Sequence, residues 1–310
     1  MRKLASTIAL MLTAVVLLFF TSAIPCAAQI DHHLTPVNTN AEAKIDGMTG
    51  HASGEQQGGL MLYRRFCVGC HGPAGDGTGE NALWIDPKPR DFTLAVFKCR
   101  STPTGTLPTD DDLYKAVTRG FDTTNMPAWR PLTDQQRANL VAAVKSFSPR
   151  WQNEKAGTPI TIPAETPINI ESVLRGRALF QKMECWKCHG PAGHGDGPSA
   201  STLTDSKDNP IRPYNFSTGT RFKCGETNQD LYKIFMTGLD GTPMPSFADV
   251  IQPNDAWDLV HFLRVLQINR PSRENEVLMA AHGVIPPYVD KSPAPAAAPA
   301  DTKAPGGGGR

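Results

Sequence analysis

Neither sign of charge dominates this chain. Lysine and arginine number 31 against 30 aspartates and glutamates in 310 residues, a formal net charge of +1. Nucleic acid and acidic membrane surfaces are thereby excluded as main partners, since both call for a basic excess. Aromatic residues are scarce at 7%, whereas glycine and proline are frequent at 27 each. Such a chain does not build one large aromatic core; it suits small, loop-rich domains whose core is completed by a bound group. The length implies roughly two of them. The glycine-rich run Gly72-Pro-Ala-Gly-Asp-Gly-Thr-Gly79 lacks a preceding strand and a closing Gly-Lys-Ser/Thr, so it is not a phosphate loop.

What is present is a five-residue run that occurs twice, Cys67-Val-Gly-Cys70-His71 and Cys185-Trp-Lys-Cys188-His189. C-x-x-C-H is the covalent attachment pattern for c-type haem. Two thiols add to the two porphyrin vinyl groups, and the adjacent histidine coordinates iron. Structural zinc and a disulfide scaffold are the other readings. Neither motif has the second half that a four-ligand zinc site requires. Fifty-five residues after each histidine comes a methionine, Met126 after His71 and Met244 after His189, each followed by proline. Proline keeps the preceding backbone extended, so the side chain can project from a loop. A thioether is the expected sixth ligand of an electron-transfer haem. Methionine is otherwise core filler, which suits Met61, Met183 and Met236.

The whole segment around each motif repeats. Asp230-Leu-Tyr-Lys233 matches Asp112-Leu-Tyr-Lys115, Phe247 matches Trp129, and Leu259-Val260 matches Leu140-Val141. Gly176 is aligned with Gly58, and Arg212 with Arg90 in Pro/Arg-Phe segments. Phe222-Lys-Cys224 matches Phe97-Lys-Cys99 at a larger offset, so the second unit gains about seven residues after its motif and loses as many before Asp230. The boundaries read as a first unit over 54–150, an extended proline-rich linker over 151–169 and a second unit over 170–270. Helices are expected from Glu55 (capped by Ser53) to Phe66, over Asp111–Arg119 with Gly120 as stop, from Asp134 (capped by Thr133) to Phe147, and from Glu171 to Glu184. Trp257 is read as core.

The flanks differ in kind. Arg2 and Lys3 precede an apolar stretch from about Leu4 to Phe20 and then Ala23-Ile-Pro-Cys-Ala-Ala28. This reads as a signal peptide over 1–28, with an uncleaved anchor as the other reading; Pro25 fits poorly with lipidation of Cys26. Residues 29–53, with His32, His33 and His51, read as a flexible lead-in. Residues 271–310 are too rich in Pro, Ala and Gly to fold.

The order of helix, C-x-x-C-H, loop, Met-Pro and final helix resembles class I cytochromes c, and its duplication resembles the diheme members. The resemblance spans about 55–270 and implies an all-α fold of two tandem domains, each a few short helices around one covalent haem c. It implies His71 and Met126 as ligands of one iron, His189 and Met244 of the other, with Cys67, Cys70, Cys185 and Cys188 carrying the thioethers. The function implied is an exported, periplasmic electron carrier between redox protein partners, free or in a complex, with membrane-complex association left open. The alternative is a diheme enzyme of peroxidase or thiosulfate-oxidising type. Arg90 and Arg212 are candidate partners of the haem carboxylates. Cys99 and Cys224 are outside the single-haem pattern. Occupying matched places in two copies, they are expected to form a disulfide between the units, with two free thiols as the other state.

Overall fold

The computed structural model describes residues 34–45, 52–218 and 221–268. The leader at 1–28, His32, His33 and His51, and the tail over 271–310 lie outside the described residues. The architecture is mostly helical and loop-rich, with one small two-stranded sheet. The first unit holds α1 (Gln56–Phe66), the single turn α2 (Val68–His71), α3 (Asp110–Arg119), α4 (Asp134–Ser146) and the turn α5 (Arg150–Asn153). The second holds α6 (Ile170–Lys182), the turn α7 (Trp186–His189), α8 (Asn228–Thr237) and α9 (Pro253–Ile268). No helix of the described residues is long and apolar enough to cross a membrane.

Local sequence accounts for the helix ends. Thr109 and Thr227 each form a capping box with the aspartate three residues on, Asp112 and Asp230. Thr133 does the same with Gln136. Each box satisfies amide groups that a helix start leaves bare. At the other end, Gly120 and Gly238 adopt φ of +67° and +68°, a region that glycine enters without strain.

Each unit is closed by its first helix crossing its last long one, α1 on α4 and α6 on α9. The crossing is made by one glycine per unit. A Cβ on Gly59 would fall 1.9 Å from the Asn139 carbonyl oxygen, and one on Gly176 would fall 2.0 Å from that of Asp258. Gly176 therefore corresponds to Gly59, not to Gly58 as the alignment had it. The slip arises because the second unit carries one extra residue, Glu184 with φ of +58°, between helix and motif. Around the second crossing, Phe180, Trp257, Val260 and Phe262 are fully or almost fully buried, with the Trp257 ring 4.7 Å from that of Tyr232.

The lead-in is partly structured, which corrects the expectation of a flexible segment. Strands β1 (Glu42–Ile45) and β2 (Ala52–Glu55) pair antiparallel. Ala43 and Ile45 alternate with exposed Glu42 and Lys44 and pack on Ala138, Val141 and Ala142 of α4. Two apolar residues in a polar run suffice, because a period of two places Ala43 and Ile45 on one face. Ser53 consequently lies in β2 rather than capping α1, whose first position follows Glu55. The segment from Lys155 onward runs extended and is stitched to the first unit by Gly157 N–H to Leu107 O and Ile160 N–H to Ser101 O.

Candidate cofactor sites

Both C-x-x-C-H runs are single helical turns. His71 N–H donates to Cys67 O, and His189 N–H to Cys185 O. Residues three and four apart share a helix face, so each turn presents two thiols and an imidazole to the same side. All four thiols are unpaired. Burial pushes the Cys67 and Cys185 thiols up, to about 12 and about 11. Among the described residues no cluster of His, Cys, Asp and Glu could hold a metal ion.

The histidines are oriented from behind. His71 Nδ1–H donates to the Arg90 carbonyl oxygen, and His189 Nδ1–H to that of Tyr214, both at 2.9 Å. Phe92 stacks on the His71 ring at 4.4 Å, and Phe216 lies 5.0 Å from the His189 ring. Burial lowers the pKa of both imidazoles against the opposing effect of the carbonyl bonds. Each ring is thus kept neutral, with Nδ1 occupied and Nε2 left as the donor atom for iron. Tyr214, not Arg212, is the counterpart of Arg90. Six residues are inserted between Gly193 and Phe216 relative to Gly75 and Phe92, whose backbone bonds are otherwise the same (Phe92 N–H to Gly75 O, Phe216 N–H to Gly193 O).

The methionine loops are built alike. Phe121 N–H donates to Met126 O, and Leu239 N–H to Met244 O. Thr124 Oγ1 bonds Phe121 O and accepts from the Met126 amide; Thr242 repeats both contacts with Leu239 O and the Met244 amide. These threonines escaped the sequence reading, although the repeated Thr-x-Met-Pro carried the signal. Each loop folds over the helix-ending glycine: a Cβ on Gly120 would lie 2.5 Å from the Pro127 carbonyl carbon.

In the first unit Cys67, Cys70, His71 and Met126 line one cavity, whose wall is otherwise mainly apolar and includes Phe92, Leu113 and Val144. In the second, Cys185, Trp186, Met244 and Phe247 pack against one core cluster with Phe216 and Phe222. The donor set, the apolar wall and the oriented imidazole fit a covalently attached iron porphyrin. Cys99 and Cys224 are joined by a disulfide, Cα to Cα 5.0 Å, that links the two units, and Cys99 also lines the first cavity.

Comparisons with known proteins agree with this geometry. Residues 173–267 match the family model for cytochrome c. Residues 54–142 match that for cytochrome c oxidase, cbb3-type, subunit III. Among solved structures, the chain is similar to a chain of the reducing HAO-like protein complex of Kuenenia stuttgartiensis. The two are 41% identical with a TM-score of 0.66, over 68% of this chain and 96% of that one. No curated protein matches. With two such domains in series and a relative of this identity aligned over nearly its whole length, the chain belongs to the cytochrome c family, as a tandem of two cytochrome c units.

Proposed function

We propose that the protein is an exported diheme cytochrome that passes single electrons between a respiratory donor and an acceptor, free or as a subunit of an oxidoreductase complex. A haem iron supplies a one-electron couple when bound. The chain's contribution would be to hold that iron, through His71 and Met126 in the first unit and through His189 and Met244 in the second. It also keeps each imidazole neutral and oriented, and excludes water with an apolar wall. The observation that carries the reading is the duplicated pairing of a histidine fixed through Nδ1 with a methionine loop of the same hydrogen-bond pattern. A methionine ligand together with histidine would favour the reduced state and raise the potential, which suits a carrier. The relative's place in a protein complex supports redox protein partners for this chain too.

The enzymatic alternative needs an open or exchangeable axial position, or a cysteine ligand. Cys99 and Cys224, the candidates for the latter, are bonded to each other. The test is intact mass of the mature protein after acid–acetone extraction. Two haem masses should remain on the chain, and Cys188→Ala should weaken or lose one. Extractable haem or bound zinc would overturn the reading. A redox titration with ligand assignment then separates carrier from catalyst.

A further inference from the structure

Four charged side chains besides the histidine line the first cavity, Lys88, Arg90, Lys98 and Lys223, and all are basic; no carboxylate lines it. Lys88 Nζ is engaged, donating to the Ala82 and Leu83 carbonyl oxygens. The side chains of Arg90, Lys98 and Lys223 make no hydrogen bond or ion pair among the described residues. The carboxylates that reach them electrostatically are Asp205, Asp91 and Asp86. Asp91 is bonded to Lys207 and Thr93, and Asp205 to the amides of Lys207 and Asn209. Three cations are therefore crowded round an apolar cavity with no anion in its wall. Burial, and after it the neighbouring Arg90 and Lys223, pulls Lys98 down to about 8 against the opposing effect of Asp205.

Lys223 belongs to the second unit. Two contacts bring it to the first: the Cys99–Cys224 bond, which joins the residues next to Lys98 and Lys223, and Arg119 Nη2–H donating to the Lys223 carbonyl oxygen at 3.1 Å. Lys98 and Lys223 occupy matched Phe-Lys-Cys positions, so the duplication alone would give one lysine to each pocket. Here both line the first.

We propose that Arg90, Lys98 and Lys223 together hold the two carboxylates of the cofactor in the first pocket, so that this pocket is completed by a lysine of the second unit. The proposal rests on the haem reading above. The three are positioning residues. Their charge favours the reduced, less positive iron, so the cluster raises the reduction potential of the first haem.

The test is a spectroelectrochemical titration of the loaded protein, with haem content checked by mass. The first haem is identified as the one whose sulfur-to-iron band is lost in Met126→Ala. Lys223→Gln should lower the midpoint of that haem, shift its carboxylate bending mode in the resonance Raman spectrum, and leave the second haem unchanged. Lys223→Arg should restore both signals. Lys233→Gln, which removes a second-unit lysine paired with Asp230, should move neither midpoint. Unchanged midpoints in Lys223→Gln, or an equal fall at both haems, would overturn the proposal. A wild-type chain without two attached haems would overturn the underlying reading instead.

Discussion

Met126 and Met244 each hang from a loop whose threonine bonds both the loop's start and the methionine's own amide. The side chain is thus positioned by backbone contacts that survive its truncation. Met126→Ala and Met244→Ala should each fold, each remove about half of the near-infrared sulfur-to-iron absorption, and each gain affinity for carbon monoxide; a wild-type protein that already binds it readily at one ferrous haem would contradict this. A second residue-scale prediction concerns Asp91. Burial acts to raise its pKa, but the Lys207 ammonium and the Thr93 O–H and N–H outweigh it, and the group titrates below the usual carboxylate value. A depressed folded value means stability that is present above the unfolded pKa of about 3.9 and lost as pH falls through the lower folded one. Asp91→Asn should therefore flatten the acid limb of a stability–pH curve, and an unchanged limb would refute the coupling. At this scale the candidate ligands could be named because chemistry demands particular side chains at particular spacings. The acceptors behind the histidines were not, because a backbone carbonyl leaves no trace in residue type, and Arg212 was aligned with Arg90 in place of Tyr214.

Gly58 and Gly59 are neighbours in α1 with different surroundings. A Cβ on Gly58 meets only the Asn139 side-chain amide, a flexible group, at 2.8 Å, whereas one on Gly59 meets the α4 backbone at 1.9 Å. Gly58→Ala should be neutral or slightly stabilising, since alanine gains up to about 1 kcal/mol of helix propensity. Gly59→Ala and Gly176→Ala should each cost at least about 1–3 kcal/mol, as overpacked contacts do; denaturant unfolding of the three variants checks the register. The helices themselves were readable from their caps and periodicity. The strand β1 was not, because its inward face is only alanine and isoleucine, and its partner strand lies beyond an intervening segment. The two irregular loops were seen as length differences without a purpose. The structure supplies one. The stretch before Asp112, which the second unit lacks in part, offers Thr104 Oγ1–H and the Gly105 amide to Asp240 of the second unit, and the second unit's longer loop sends Lys207 to Asp91 and to the Asp76 carbonyl.

The two units are therefore locked by reciprocal insertions, a buried ion pair and a covalent bond. The Arg100 side chain is fully buried and pairs with Asp240 at 2.7 Å, so Asp240→Ala should cost roughly 3 kcal/mol by stranding that charge. Replacing Cys99 and Cys224 with serine should lower stability by up to roughly 4–5 kcal/mol, the loop-closure value for a span of 125 residues. Unfolding of the loaded double variant should also separate into two transitions, one per unit; a single unshifted transition would show that the bond adds nothing to the interface. The duplication made a link between matched cysteines foreseeable, but not which loops would grip across it, since surface complementarity depends on atoms far apart in the chain. The bond also has a consequence for how the protein is made. It encircles the second thiol pair, Cys185 and Cys188, while the first pair, Cys67 and Cys70, stays outside the ring. Besides Cys26, six cysteines are available during maturation, and of the bonds among them only Cys99–Cys224 leaves both C-x-x-C-H motifs free. If Cys99 and Cys224 join first, the second unit is tethered in place before its cofactor arrives. A bond from Cys99 or Cys224 to a motif cysteine would instead take a thiol away from cofactor attachment, and a chain so mispaired should accumulate with only one haem fully attached.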